Sequence, residues 1–117
     1  FDVMMQARAL AFELAVPGAI MNDVDAAVNT LLREAGYGEN LLHRTGHGFG
    51  VTAHEAPFLA EGDMREIRPG MVFSIEPGIY LPELGGFRHS CTVLITEDGN
   101  RNMTPWPDTL EELTLPI

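Results

Sequence analysis

Three of the four histidines fall within twelve residues, in His43-Arg44-Thr45-Gly46-His47-Gly48-Phe49-Gly50 and His54-Glu55. Imidazole is the side chain most used for metal ligation and proton transfer near neutral pH. The intervening glycines carry no side-chain bulk, so backbone can approach a ligand closely. A lone histidine is ordinarily a surface or hydrogen-bonded core residue, but three in one glycine-rich stretch point to chemistry. Two later stretches could complete a site. Ser74-Ile75-Glu76-Pro77-Gly78 ends a hydrophobic strand on a carboxylate, which reads either as an exposed strand end or as a metal ligand on a rigid element. In Gly85-Gly86-Phe87-Arg88-His89-Ser90, alternation puts Arg88, Ser90 and Thr92 on one face and His89 and Cys91 on the other. Taken alone, Arg88 reads as a surface residue.

Several familiar arrangements are absent. Gly46, Gly48 and Gly50 do not have the dinucleotide-binding spacing, and no helical pattern follows them. His54-Glu55 has Phe58 where a zinc-protease helix needs a second histidine, and Pro57 would break that helix. There is no Gly-x-Ser-x-Gly elbow. A Cys91 nucleophile with a nearby histidine rests on one strand residue alone.

The elements that must hold these groups are legible in part. Residues 2–16 predict an amphipathic helix with Val3, Ala7, Leu10/Ala11 and Leu14 on one face, stopped by Pro17-Gly18. A second is expected over 23–35, with Asn22 as N-cap, Asp23 and Asp25 in the first turn and Gly36 at its end. Its apolar stripe is Val24, Ala27/Val28, Leu31/Leu32 and Ala35. Beyond Gly36 the helical period disappears. Strands are predicted over 71–76 and 87–96, with a turn at Glu97-Asp98-Gly99-Asn100 and a short return at 101–104. The tail from Trp106 is acidic and broken by prolines. Two helices followed by mainly antiparallel strands make an α+β fold, with both helices covering one sheet.

Length and composition bound the rest. The 117 residues suit one domain or a piece of one, and a first residue of Phe1 points to a chain cut from something longer. Seven Lys and Arg against seventeen Asp and Glu give a formal charge of −10, which disfavours nucleic acid or an anionic membrane as partner. Cys91 is the only cysteine, so no internal disulfide can form and the cytoplasm is the default. No apolar run reaches the ~18 residues of a membrane span, and no signal peptide is evident.

In this order, the His43–Gly50 motif, His54-Glu55-x-Pro57, Arg68-Pro69-Gly70-Met71-Val72-Phe73-Ser74-Ile75-Glu76-Pro77-Gly78-Ile79-Tyr80 and Gly86-Phe87-Arg88 resemble the C-terminal half of the pita-bread metallopeptidases. The branch resembled is that of Xaa-Pro dipeptidase (prolidase) and aminopeptidase P. The resemblance covers nearly all of residues 1–117. It implies half of a pita-bread domain, two helices on a curved sheet, with the N-terminal part of the domain absent. It also implies cleavage of the bond before proline by metal-activated water, at two ions held by two Asp, one His and two Glu. His47 matches the histidine ligand and Glu76 the first glutamate ligand. His54 matches the histidine that contacts substrate and the tetrahedral intermediate. His43 matches one that lines the substrate pocket, and Arg88 an arginine near the second glutamate ligand.

Manganese is the metal this implies foremost, with cobalt, zinc or iron also open. A peptide or small amide substrate and a homodimer follow from the same resemblance. Two departures stand out. The family's two Asp ligands lie upstream of the matched segment, and Asp23 and Asp25 do not replace them. The family pattern Arg-x-Glu-Asp reads Arg88-His89-Ser90-Cys91 here, which puts Ser90 at the bridging glutamate. A neutral hydroxyl cannot bridge two cations. A relative with one metal or none, such as a creatinase-like hydrolase, or a catalytically silent binding module therefore stands beside the peptidase. The isolated chain is expected to bind metal poorly and to be inactive.

Overall fold

The computed structural model describes all 117 residues. Helices α1 (Asp2–Leu14) and α2 (Met21–Glu34) come first, joined by a turn at Pro17-Gly18 in which Gly18 has φ +94°. Seven strands follow: β1 (Gly46–Gly48), β2 (Glu55–Leu59), β3 (Val72–Ile75), β4 (Gly78–Leu81), β5 (Gly85–Arg88), β6 (Cys91–Thr96) and β7 (Gly99–Asn102). A short α3 (Leu110–Leu113) lies in the tail. Five strands form an antiparallel sheet in the order β2-β1-β3-β6-β7, and β4 and β5 form a separate hairpin. Met4, Ala7 and Ala11 of α1 and Met21, Val24, Val28 and Leu32 of α2 share one core with Leu59, Phe73, Ile75, Val93 and Ile95 of the sheet. This is the α+β arrangement expected, with both helices on one antiparallel sheet.

Several expectations need correction. The α1 stripe is centred on Met4, with Val3, Leu10 and Leu14 only half-buried, and Ala35 is exposed beyond the end of α2. Asn22 is not an N-cap. Ile20 takes that position without a side-chain bond, because the α2 donors Met21 N–H and Asn22 N–H are met by the carbonyls of Arg65 and Asp63. Asn22 Oδ1 instead accepts from Gly62 N–H at 2.9 Å. Asp25 is buried inside the helix face rather than displayed in its first turn. Strands β1, β2 and β4, and helix α3 with its Thr109–Glu112 capping box, have no counterpart in the periodicity.

The strand expected over 87–96 is two strands. β6 pairs with β3 (Ile75 opposite Cys91), and β5 pairs with β4 (Gly78 opposite Arg88). The register runs through both ladders without slipping, so Glu76 faces Ser90 and Pro77 faces His89. Pro77 has no N–H to donate, and the ladder is interrupted there. That interruption is where the chemistry-bearing residues of the two stretches meet.

Candidate functional site

His47 sits at the middle of β1, between two glycines that the packing requires. A Cβ at Gly46 would overlap the Ser74 carbonyl, and one at Gly48 would come within 2.7 Å of the Glu55 carbonyl oxygen. The His47 N–H donates to Ser74 Oγ at 3.0 Å, which ties β1 to β3 where the two share only one ladder position, Gly48 opposite Phe73. His47 Nδ1 lies 3.0 Å from the Gly48 carbonyl. A carbonyl only accepts, so Nδ1 carries the proton and neutral His47 turns an unprotonated Nε2 outward. Nε2 is 3.5 Å from Glu76 Oε1. Two electron-pair donors at this spacing can share a cation between them, either a proton on Nε2 or a metal ion.

His54 closes on the same point from the loop before β2. Its ring centroid is 4.2 Å from that of His47, tilted 46°. Ser90 donates its hydroxyl proton to the other oxygen of Glu76, Oε2, at 2.9 Å. His47, His54, Glu76 and Ser90, far apart in sequence, thus converge. His43 stands in a second pair with Tyr80, its Nε2 2.6 Å from the phenol oxygen while Nδ1 donates to the Arg44 carbonyl. Tyr80 lies across Gly78 and Gly86, whose absent side chains make room for its ring. Arg88, exposed at the end of β5, makes no ion pair or side-chain hydrogen bond within the chain and is not drawn into the convergence. Cys91 is on the opposite strand face from Ser90, buried, with its sulfur accepting from Arg8 Nε and Nη2 at 3.3 and 3.2 Å.

The donor set fits part of a metal centre. Ligand atoms each about 2.1 Å from one ion stand roughly 3.0–3.4 Å apart, close to the His47–Glu76 spacing. A histidine whose second nitrogen is fixed by a carbonyl is the usual form of a metal-ligating imidazole. The chain offers only these two donors: no group of three or more His, Cys, Asp or Glu side chains is placed to hold an ion.

The profile of Metallopeptidase family M24 matches residues 1–97. The chain belongs to this family. A Xaa-Pro dipeptidase of Pyrococcus furiosus is 40% identical over 104 residues, 89% of this chain and 30% of that protein. A probable dipeptidase, PepE, of Mycobacterium tuberculosis is 43% identical over 110 residues, 94% of this chain and 29% of that protein. The solved structure of a Xaa-Pro dipeptidase from Bacillus anthracis superposes with a TM-score of 0.89 at 36% identity, covering 93% of this chain and 31% of that one. The chain thus spans about 30% of the length of the M24 relatives it matches.

The sequence singles out His43, His47, His54, Glu76 and Ser90 as candidates but gives no such part to three residues bonded to the stretches that carry them. Tyr80 is one, and Thr45 and Asp25 are the others. Asp25 had a signal: it lies at helical spacing among Met21, Val24, Val28 and Leu32, where an acidic residue is out of place unless buried and paired.

Proposed function

We propose that this chain is the C-terminal part of a pita-bread catalytic domain in a cytoplasmic, homodimeric metal-dependent hydrolase acting on Xaa-Pro dipeptides or related small amides. The observation that carries this reading is the pair His47 Nε2 and Glu76 Oε1, 3.5 Å apart with Nδ1 committed to a carbonyl. A divalent ion, manganese foremost, would supply a water of lowered pKa and a Lewis acid for the amide carbonyl. In this reading His47 and Glu76 hold the ion. His54, its ring tilted against that of His47, contacts the substrate and handles a proton as the amide is attacked. His43, braced by Tyr80, lines the substrate pocket, and Arg88 receives an anionic group.

Manganese titration followed by NMR tests the reading. Submillimolar Mn(II) should broaden the His47 and Glu76 signals first, and Glu76→Gln should abolish the effect. The chain alone should not cleave Xaa-Pro dipeptides. In the intact polypeptide, cleavage should need added metal and fall at least 100-fold in His47→Ala. Broadening centred elsewhere, or cleavage unaffected by His47→Ala, would sink the proposal.

A second reading rests on Ser90. Its hydroxyl donates to Glu76 Oε2, where the family pattern would place a second carboxylate. Such a site suits one ion or none, as in a creatinase-like hydrolase, or a catalytically silent binding module. Metal counting by native mass spectrometry, paired with dipeptide hydrolysis on the intact protein, separates the readings: Xaa-Pro cleavage that follows metal uptake favours the peptidase, and one ion or none without such cleavage the alternative.

A further inference from the structure

Four polar residues are buried in this chain: Asp25, Thr45, Ser74 and His89. Three of them bond to the stretches that carry His47 and Glu76. Asp25 Oδ1 accepts from both the N–H and the hydroxyl of Thr45, at 3.0 and 2.7 Å, and Oδ2 accepts from Asn29 Nδ2 at 3.0 Å. The Thr45 N–H is shared with the Leu59 carbonyl at 3.1 Å, so the hydroxyl bond is the one that belongs to Asp25 alone. The Thr45 carbonyl then accepts from Glu76 N–H at 2.7 Å. Ser74 Oγ accepts from His47 N–H.

A carboxylate in a core is unfavourable unless its lone pairs are met, and an apolar residue on this stripe of α2 would pack without that cost. What Asp25 gains is a grip on Thr45 from beneath. The grip matters because the β1–β3 ladder is the single position Gly48–Phe73, and the Thr45–Glu76 bond, three residues further along the same register, lies outside both strands.

We infer that Asp25 is a positioning residue for the His47–Glu76 pair: it fixes Thr45 against α2, and the Thr45 carbonyl fixes the backbone from which Glu76 projects. Asp25 does not reach the pair itself. The inference rests on the reading of His47 and Glu76 as the residues that hold the ion, and it goes beyond that reading by assigning a helix residue to their placement. Ligand groups must be held to within about 0.5 Å to act together, and a hydrogen-bond relay from a rigid helix meets that demand.

The test compares Asp25→Leu, Thr45→Val and Thr45→Ser with Val28→Ala, a core truncation on the same helix, at fixed pH and at a temperature where each is fully folded. Asp25→Leu removes the acceptor, whereas an asparagine would keep it. The readouts are the Glu76 amide and His47 ring signals without metal, and the Mn(II) concentration that half-broadens them. Asp25→Leu and Thr45→Val should shift the metal-free signals and raise the Mn(II) requirement at least five-fold. Thr45→Ser, which keeps the hydroxyl, should stay within two-fold of wild type. Val28→Ala should lower the melting temperature and leave both readouts in place. If Asp25→Leu does not fold, Thr45→Val against Thr45→Ser decides. Overturning results are wild-type signals in Asp25→Leu, a Thr45→Ser variant as impaired as Thr45→Val, or equal loss in Val28→Ala. If Mn(II) does not broaden His47 in the wild type, the metal reading fails, and the metal-free shifts still decide the positioning role.

Discussion

Ser90 is the residue at which this chain departs furthest from the pattern it otherwise resembles. Its hydroxyl holds one oxygen of Glu76 and leaves the other facing His47. Two divalent ions a few ångströms apart repel strongly, and bridging carboxylates normally offset that repulsion. Ser90→Glu would put a carboxylate across the strand from Glu76. In the intact protein we expect it to raise metal stoichiometry towards two and to increase Xaa-Pro cleavage at least ten-fold, measured by native mass spectrometry and dipeptide hydrolysis. A wild type that already holds two ions, with Ser90→Glu changing nothing, would show that Ser90 is not at a ligand position. At this scale the sequence was most legible where chemistry forces residue type: imidazoles and carboxylates announce themselves. The parts of Tyr80, Thr45 and Asp25 were not legible because they depend on which groups they touch, and a hydroxyl or a helix carboxylate has many ordinary uses.

At the scale of elements, periodicity found what has a period. The two helices and the β3 and β6 strands each carry a continuous apolar face; the helices and β3 were expected in nearly their observed places, and β6 as the end of a longer strand. β1 is three residues with two glycines, and β2 contains Pro57, so neither shows a pattern; both are strands because of what they pair with. Gly46 shows how strict that pairing is. A methyl there meets the Ser74 backbone, which cannot yield without moving β3, so Gly46→Ala should cost about 2–3 kcal/mol. Thermal denaturation checks this, and an unchanged melting temperature would mean that β1 and β3 can separate freely. The tail helix gives a pH-dependent case. Hydrogen bonds from the Thr109 hydroxyl and backbone N–H hold the Glu112 carboxyl below its ordinary value. A carboxyl lowered on folding stabilises above its unfolded pKa, near 4.3, and that contribution is lost as pH falls through the lowered value. Amide protection across Leu110–Leu113, taken relative to the intrinsic exchange rate at each pH, should therefore fall below about pH 4, and Glu112→Gln should show no such fall. An equal fall in both would remove Glu112 as the cause.

At the scale of the whole molecule, the accessible surface is 7009 Å², against roughly 6,300 Å² expected for a folded chain of 12.8 kDa. The excess is partly apolar: Leu84, Trp106, Leu110, Leu115 and Ile117 are all more than half exposed. Apolar exposure of this kind favours association, and the proposed homodimer is one way to cover it. The net charge of −10 opposes any such pairing of like chains. The two effects respond oppositely to salt. Added salt shortens the reach of charge repulsion, from about 30 Å at 0.01 M to about 10 Å at 0.1 M, and leaves apolar burial intact or strengthens it. Self-association should therefore rise with ionic strength: sedimentation velocity on the chain at 100 µM should show mostly monomer in 10 mM salt and a growing dimer in 500 mM. Replacing Leu84 and Leu115 together with Ser should cut the high-salt dimer several-fold, if these residues are what the dimer buries. A chain that stays monomeric at 500 mM salt, or that dissociates as salt is added, would count against the homodimer, the second outcome because it would mean that ion pairs rather than apolar contact hold the copies together.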